Sequence, residues 1–184
     1  MIQYVYWRMI RYEGAFEKMK DLRIIPVTNM ELVYSLVPVA EEIWREHYIP
    51  IIGEKQVEYM LEKFLSADAL VEQINSGYEY FLLSYDYTFA GFAGIKEEEG
   101  NLFLSKLYVD KDFRGKGIAS YMLQKFAEIC KLRKLNKIWL TCNRHNTNSL
   151  EVYKHLGFVT VREEATDIGE GFVMDDFIME YDVK

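Results

Sequence analysis

Between residues 102 and 142 the chain runs through an apolar, aromatic stretch (Leu102–Val109), a basic turn carrying Gly115 and Gly117, a helical stretch and a second apolar stretch (Lys137–Cys142). No other feature limits the fold as much. Ile118, Met122, Phe126 and Ile129 recur at helical spacing, so the middle segment has one face to bury, and Lys131, Arg133 and Lys134 put positive charge at the negative end of its dipole. Strand, helix, strand in that order is a βαβ crossover. What precedes it is of another kind. Tyr78–Tyr85 and Phe89–Lys96 are aromatic and β-branched runs joined by Asp86-Tyr87-Thr88, short enough for a hairpin, and Leu102 follows the turn Glu97-Glu98-Glu99-Gly100. Antiparallel strands followed by one crossover predict an α/β (α+β) fold with a mixed, mostly antiparallel central sheet flanked by helices.

The remaining elements fit around that sheet. Leu22–Val27 reads as a first strand, and Asn29 is placed to cap a helix with Leu32, Leu36, Val39 and Ile43 on one face. Gln56–Phe64 continues as a second helical stretch. Ser149–Leu156 reads as a helix stopped by Gly157, with Asn148 and Glu151 spaced as a capping box, and Phe158–Val161 with Phe172–Tyr181 as a terminal strand pair. The 184 residues, half of them hydrophobic, show no repeat and no linker, so a single domain is expected over 22–184, with residues 1–21 an N-terminal extension of unassigned role.

Charge and cysteine usage exclude several function classes. A net charge of −7 argues against a nucleic-acid binder, which would need a basic surplus against phosphates, and suits a small-molecule or cationic partner. Cys130 and Cys142 form no CxxC pair, so neither a disulfide framework nor a metal site is expected, and a reduced cytoplasm is the expected compartment. No apolar run reaches the roughly 18–20 residues needed to cross a bilayer.

A glycine-containing turn between a strand and a helix presents unpaired backbone N–H groups to an anion. Two phosphate motifs fail on it. G-x-x-x-x-G-K-[ST] is absent, and the dinucleotide pattern G-x-G-x-x-G breaks at Ser120. An ordinary flexible turn is the remaining local reading.

With its flanks, however, Arg114-Gly115-Lys116-Gly117-Ile118-Ala119 resembles the acyl-CoA-binding motif [RQ]-x-x-G-x-[GA] of the GNAT N-acetyltransferase superfamily. Leu107-Tyr108-Val109 looks like the end of that family's fourth strand. Asn146 to Phe158 is similar to its N-x-x-A-x-x-x-Y-x-K-x-G-F, with Ser149 in place of alanine and His155 at a variable position. The resemblance implies a sheet splayed between the fourth and fifth strands, and acetyl-CoA as co-substrate. It implies that Leu107, Tyr108 and Val109 meet the pantetheine arm as a neighbouring strand would. Arg114, Gly115, Lys116, Gly117, Ile118, Ala119 and Ser120 would hold the diphosphate, with Asn146 a further contact or a helix cap. Small residues at 117 and 119 would let the diphosphate approach the backbone closely.

Tyr153 stands at the family position of the general acid that protonates the departing thiolate. The base is not assigned. Many relatives carry a glutamate on the fourth strand where this chain has Ser105, which leaves Glu46, His47 and His145 as candidates. The expected activity is acetyl transfer to a primary amine by direct attack in a ternary complex, with a non-catalytic acyl-CoA sensor or interaction module as the alternative. The stretch from Trp44 to Ser66 is similar to a bacterial subgroup with polyamine-acetylating members, so polyamines join other small or peptide amines as acceptors. The acidic runs Glu97–Glu99 and Glu163-Glu164 agree with a cationic acceptor. The chain is expected to act as a monomer or homodimer, with no nucleic acid and no membrane.

Overall fold

Alternating side chains sort most of seven strands onto two cores, one on each face of a single sheet. The computed structural model describes residues 21–183; the expected N-terminal extension, apart from Asp21, lies outside the described residues. The elements are β1 (Leu22–Pro26), α1 (Met30–Ile52), α2 (Glu54–Leu65), α3 (Ala67–Asn75), β2 (Tyr78–Tyr85), β3 (Thr88–Glu98), β4 (Asn101–Val109), α4 (Ile118–Arg133), β5 (Lys137–Asn143), α5 (Thr147–His155), β6 (Val159–Gly169) and β7 (Phe172–Asp182). The sheet order is β1-β2-β3-β4-β5-β7-β6, antiparallel except for the β4–β5 pair. This is the mixed, mostly antiparallel fold that the strand order predicted.

Period-two alternation on β2 sends Tyr80 and Leu82 to one face and Phe81 and Leu83 to the other. The first pair packs with Val33, Leu36 and Trp44 of α1 and Leu61 of α2; the second packs with Met122 and Phe126 of α4. The local devices are legible. The Asn29 side chain accepts a hydrogen bond from the Leu32 N–H at 3.0 Å and starts α1, which runs through Pro38. Asp86 and Tyr87, both with positive φ, make the tight β2–β3 turn.

Three elements differ from expectation. A helix over 67–75, too short to show a full apolar stripe, begins at Ser66, whose hydroxyl accepts from the Ala69 N–H. Helix α5 starts at Thr147, two residues early, because Asn146 rather than Asn148 caps it. Strand β6 extends to Gly169, since pairing with β7 continues along the hairpin.

Between β4 and β5 the sheet opens. The two pair only at Leu102–Ile138 and Phe103–Trp139, although β4 runs on to Val109 and β5 to Asn143. On its other edge β4 stays paired with β3 through Gly91–Val109, where a Cβ on Gly91 would lie 2.1 Å from the Tyr108 carbonyl oxygen. Leu104 faces Ile95 and Lys106 faces Gly94, so Ser105 is an extra residue, a β-bulge just past the point where the strands part.

Candidate active site

Chain geometry brings the splayed strands, the glycine turn and α5 together. At the turn, Gly115 and Gly117 have φ of 75° and 85°, a left-handed conformation that a side chain would strain, and α4 begins with no side-chain cap. Among the described residues, none of the backbone N–H groups from Gly115 to Ser120 has a protein acceptor; the first helical bond is Tyr121 N–H to the Gly117 carbonyl. A Cβ at either glycine would meet no atom within 4 Å. These donors face open space, with the positive end of a helix dipole behind them. The cradle fits an anionic, phosphate-like group.

Two grooves lead away from it. One, of about 550 Å³, is lined by Val109, Gly115, Gly117, Ile118, Ser120 and His155 among others. The second, of about 220 Å³, is lined by Leu107, Tyr108, Val109, Arg114, Ala119, His47 and Tyr153. Most of the residues singled out in the sequence therefore share one continuous stretch of surface. Three of them behave differently. The Lys116 ammonium sits over the Phe113 and Tyr85 rings, at 4.6 and 5.1 Å from their centroids. Asn146 is buried and caps α5, accepting from the Ser149 N–H at 3.3 Å. Arg114 donates from Nε to the Val109 carbonyl at 3.0 Å and forks onto Glu46, with Nη2 2.6 Å from Oε2.

That fork holds the Glu46 carboxyl below the usual range, and Glu46 faces the glycine turn. Burial lowers His47, so its imidazole is neutral near pH 7. His145 is exposed on the turn after β5. Tyr153 is partly buried, its ring edge-on to Phe158 at 5.4 Å, and burial pushes its phenol well above the ordinary value. It stays protonated at all physiological pH, with a proton to donate.

Beyond Tyr108, on the α1 side of the splay, lies a pocket of about 280 Å³. Trp44, Tyr48, Gln56, Met60 and Phe64 lie on one side, Ser105, Lys106 and Tyr108 of β4 on a second, and Thr141 and Asn143 of β5 with Met174 and Asp176 of β7 are also part of the lining. Trp44 packs on Tyr48 and Tyr108, and the two tyrosine hydroxyls lie 3.2 Å apart. Burial raises both phenols, Tyr48 to about 12, so these two side chains are neutral.

Sequence reading missed Asp176. It is 6% exposed, and burial pushes its carboxyl up to about 6, with the Thr141 hydroxyl opposing the rise. The signal was present: in Phe172–Tyr181, Asp175-Asp176 interrupts an apolar run, and alternation must turn one of two adjacent acids inward. The acidic runs noted in the sequence lie elsewhere. Glu97 and Glu98 sit beside Arg133 and Lys96, and Glu163 and Glu164 pair with Arg144 and Arg162.

Among the described residues no group of three His, Cys, Asp or Glu side chains could hold a metal, and no helix is long and apolar enough to cross a membrane.

Comparison with known proteins agrees with this geometry. The acetyltransferase (GNAT) family matches residues 37–158. The chain is 26% identical over 160 residues to a spermidine N(1)-acetyltransferase of Thermoplasma acidophilum, covering 84% of this chain and 95% of the relative. The crystal structure of the PaiA N-acetyltransferase of Thermoplasma acidophilum in complex with coenzyme A superposes with a TM-score of 0.71 at 25% identity, covering 87% of this chain and 99% of that one. A GCN5-related N-acetyltransferase structure from Rhodopseudomonas palustris shares the fold at a TM-score of 0.74 and 13% identity, covering 89% and 97%. Since the family match spans more than half of the chain and takes in the splayed strands, the glycine turn and α5, this protein belongs to the acetyltransferase (GNAT) family.

Proposed function

We propose that this protein transfers an acetyl group from acetyl-CoA directly to a primary amine within a ternary complex. The observation that carries the reading is the meeting of two spaces at Tyr108, which lines both the groove running back to the glycine turn and the pocket beneath α1 and α2. A donor held on one side and an acceptor on the other would react through the gap between β4 and β5. The coenzyme A complex of one relative and the spermidine named for another support the two occupants.

In this reading the N–H groups of Gly115–Ser120 hold the diphosphate, and the unpaired edge of Leu107–Val109 takes the pantetheine arm as a further strand. Arg114 leaves Glu46 or brings it along as the donor enters. The thioester then lies at the splay, and acetyl-CoA supplies an activated acyl carbon. The acceptor arrives as an ammonium of pKa about 10.4 and must lose a proton before it attacks. Asp176 receives it. With the carboxyl at about 6, that transfer is uphill by about 6 kcal/mol, which fits within the roughly 13–17 kcal/mol barrier of an enzyme turning over at about 1–10³ s⁻¹. The nitrogen attacks the carbonyl carbon, the C–S bond breaks, and the departing thiolate takes the Tyr153 proton; the second proton shed by the acylated nitrogen passes through water to restore Tyr153, and Asp176 releases its own to solvent. Burial raises the Cys142 thiol to about 12, which keeps it protonated and supports direct attack over a covalent acyl-enzyme.

The test mixes protein, acetyl-CoA and a panel of amines, spermidine included, while thiol release is followed and the product is weighed. Acetylated amine formed in step with free thiol is the expected result. Tight acetyl-CoA binding with no product from any amine would instead support an acyl-CoA-responsive module.

A further inference from the structure

The acceptor pocket holds two opposite charges, and acetyl transfer as described uses only one. Of the described residues lining it, Asp176 is the sole carboxylate and Lys106 the sole cation. Lys106 owes its position to the bulge at Ser105, which turns both residues toward the pocket; its Nζ donates to the Ser105 hydroxyl at 2.7 Å. No carboxylate of the described residues pairs with it, whereas Lys96, Lys125, Lys137 and Lys154 each have one within 2.9 Å. Desolvation brings the ammonium down to about 8, so at neutral pH it is still mostly charged.

A half-buried ammonium with one hydroxyl for company and no counter-ion is an arrangement that an anionic ligand group would relieve. A polyamine brings only positive charge and would sit against it. The acidity of this chain does not help such a ligand, because the Glu97–Glu98 and Glu163–Glu164 carboxylates are spent on their own lysines and arginines outside this pocket.

We propose that the acceptor is a small zwitterionic amine, an amino acid or a molecule of that chemistry, whose anionic group is held by Lys106 while its amine faces Asp176 and the splay. The proposal rests on the acetyltransferase reading above and narrows its substrate. A pocket of about 280 Å³ takes a molecule of this size whole.

The experiment compares amino acids with amines of the same carbon frame that lack the carboxylate: γ-aminobutyrate with propylamine, phenylalanine with phenethylamine, and spermidine as the polycation. In the wild-type protein the carboxylate should raise kcat/KM about 10–100-fold, the usual worth of a charge-assisted contact. Lys106→Met should abolish that preference, Lys106→Arg should keep part of it, and Lys106→Glu should turn it toward spermidine. Retained acetyl-CoA binding, measured by calorimetry, shows that each variant is folded. A wild-type preference for spermidine or for the amines without a carboxylate would overturn the anion site while leaving acetyl transfer standing. So would an equal loss for every acceptor in Lys106→Met, which would make Lys106 a general base or a packing residue. No transfer to any amine, from protein that still binds acetyl-CoA, would strike the acetyltransferase reading itself.

Discussion

At the scale of single residues, burial sets the protonation states that the proposed chemistry needs. Tyr153 is a phenol held neutral, so removing its proton while keeping its ring separates chemistry from packing. Tyr153→Phe is expected to lower turnover about 10–10³-fold with acetyl-CoA affinity little changed, as steady-state rates and calorimetry on the same preparation would read. Undiminished turnover would leave Tyr153 a packing partner of Phe158. Asp176 works in the opposite sense. Its carboxyl must be ionised to take a proton, so kcat/KM should fall as pH drops through about 6, and Asp176→Asn should lower the rate and remove that limb. The stability sign is also determined. Because its folded-state pKa lies above the ordinary aspartate value, the native state binds the proton more tightly, and Asp176 contributes stability that is lost as pH rises from about 4 through 6. Urea midpoints of wild type and Asp176→Asn across that window should converge at the acid end.

At the scale of elements, the turn before α4 and the bulge on β4 do the positioning. Left-handed backbone at Gly117 aims the first N–H groups of α4 outward into open space. Gly117→Glu places a carboxylate against the proposed diphosphate cradle, and acetyl-CoA binding should be lost by calorimetry. Gly117→Ala carries the same backbone strain, about 1–2 kcal/mol, without the charge, so it should bind weakly rather than not at all. Equal affinity in wild type and Gly117→Glu would remove the phosphate assignment. How much of these elements the sequence revealed depended on what made them. The turn was legible because glycine identity and spacing are local, and α4 because its stripe repeats over four turns. Helix α3 was not legible, since nine residues give too little periodicity, and the cap of α5 was misplaced because Asn146 and Asn148 both satisfy the local rule.

At the scale of the whole molecule, the two spaces proposed for donor and acceptor exist because one sheet is only partly zipped. A ligand that binds the folded state alone raises its stability by mass action, so acetyl-CoA at about 100 times its dissociation constant should add about 2.7 kcal/mol, or a Tm increase of about 5–10 °C. No shift in a thermal melt would leave the grooves structural. Sequence by itself determined the succession of strands along the chain, the crossover that makes β4 and β5 parallel, and the glycine turn, because these follow from periodicity and short-range backbone demands, while Tyr153 was singled out by the family resemblance of Asn146 to Phe158. Only the tertiary structure decided that Asp176 and Lys106 share a pocket. They are 70 residues apart on β7 and β4, strands that never pair, and they share it because β4–β5 pairing stops after two residues and β7 lies beyond β5. Which of two adjacent acids turns inward, and which lysine enters the pocket, depends on register and bulge, and those are set by contacts distant in the chain.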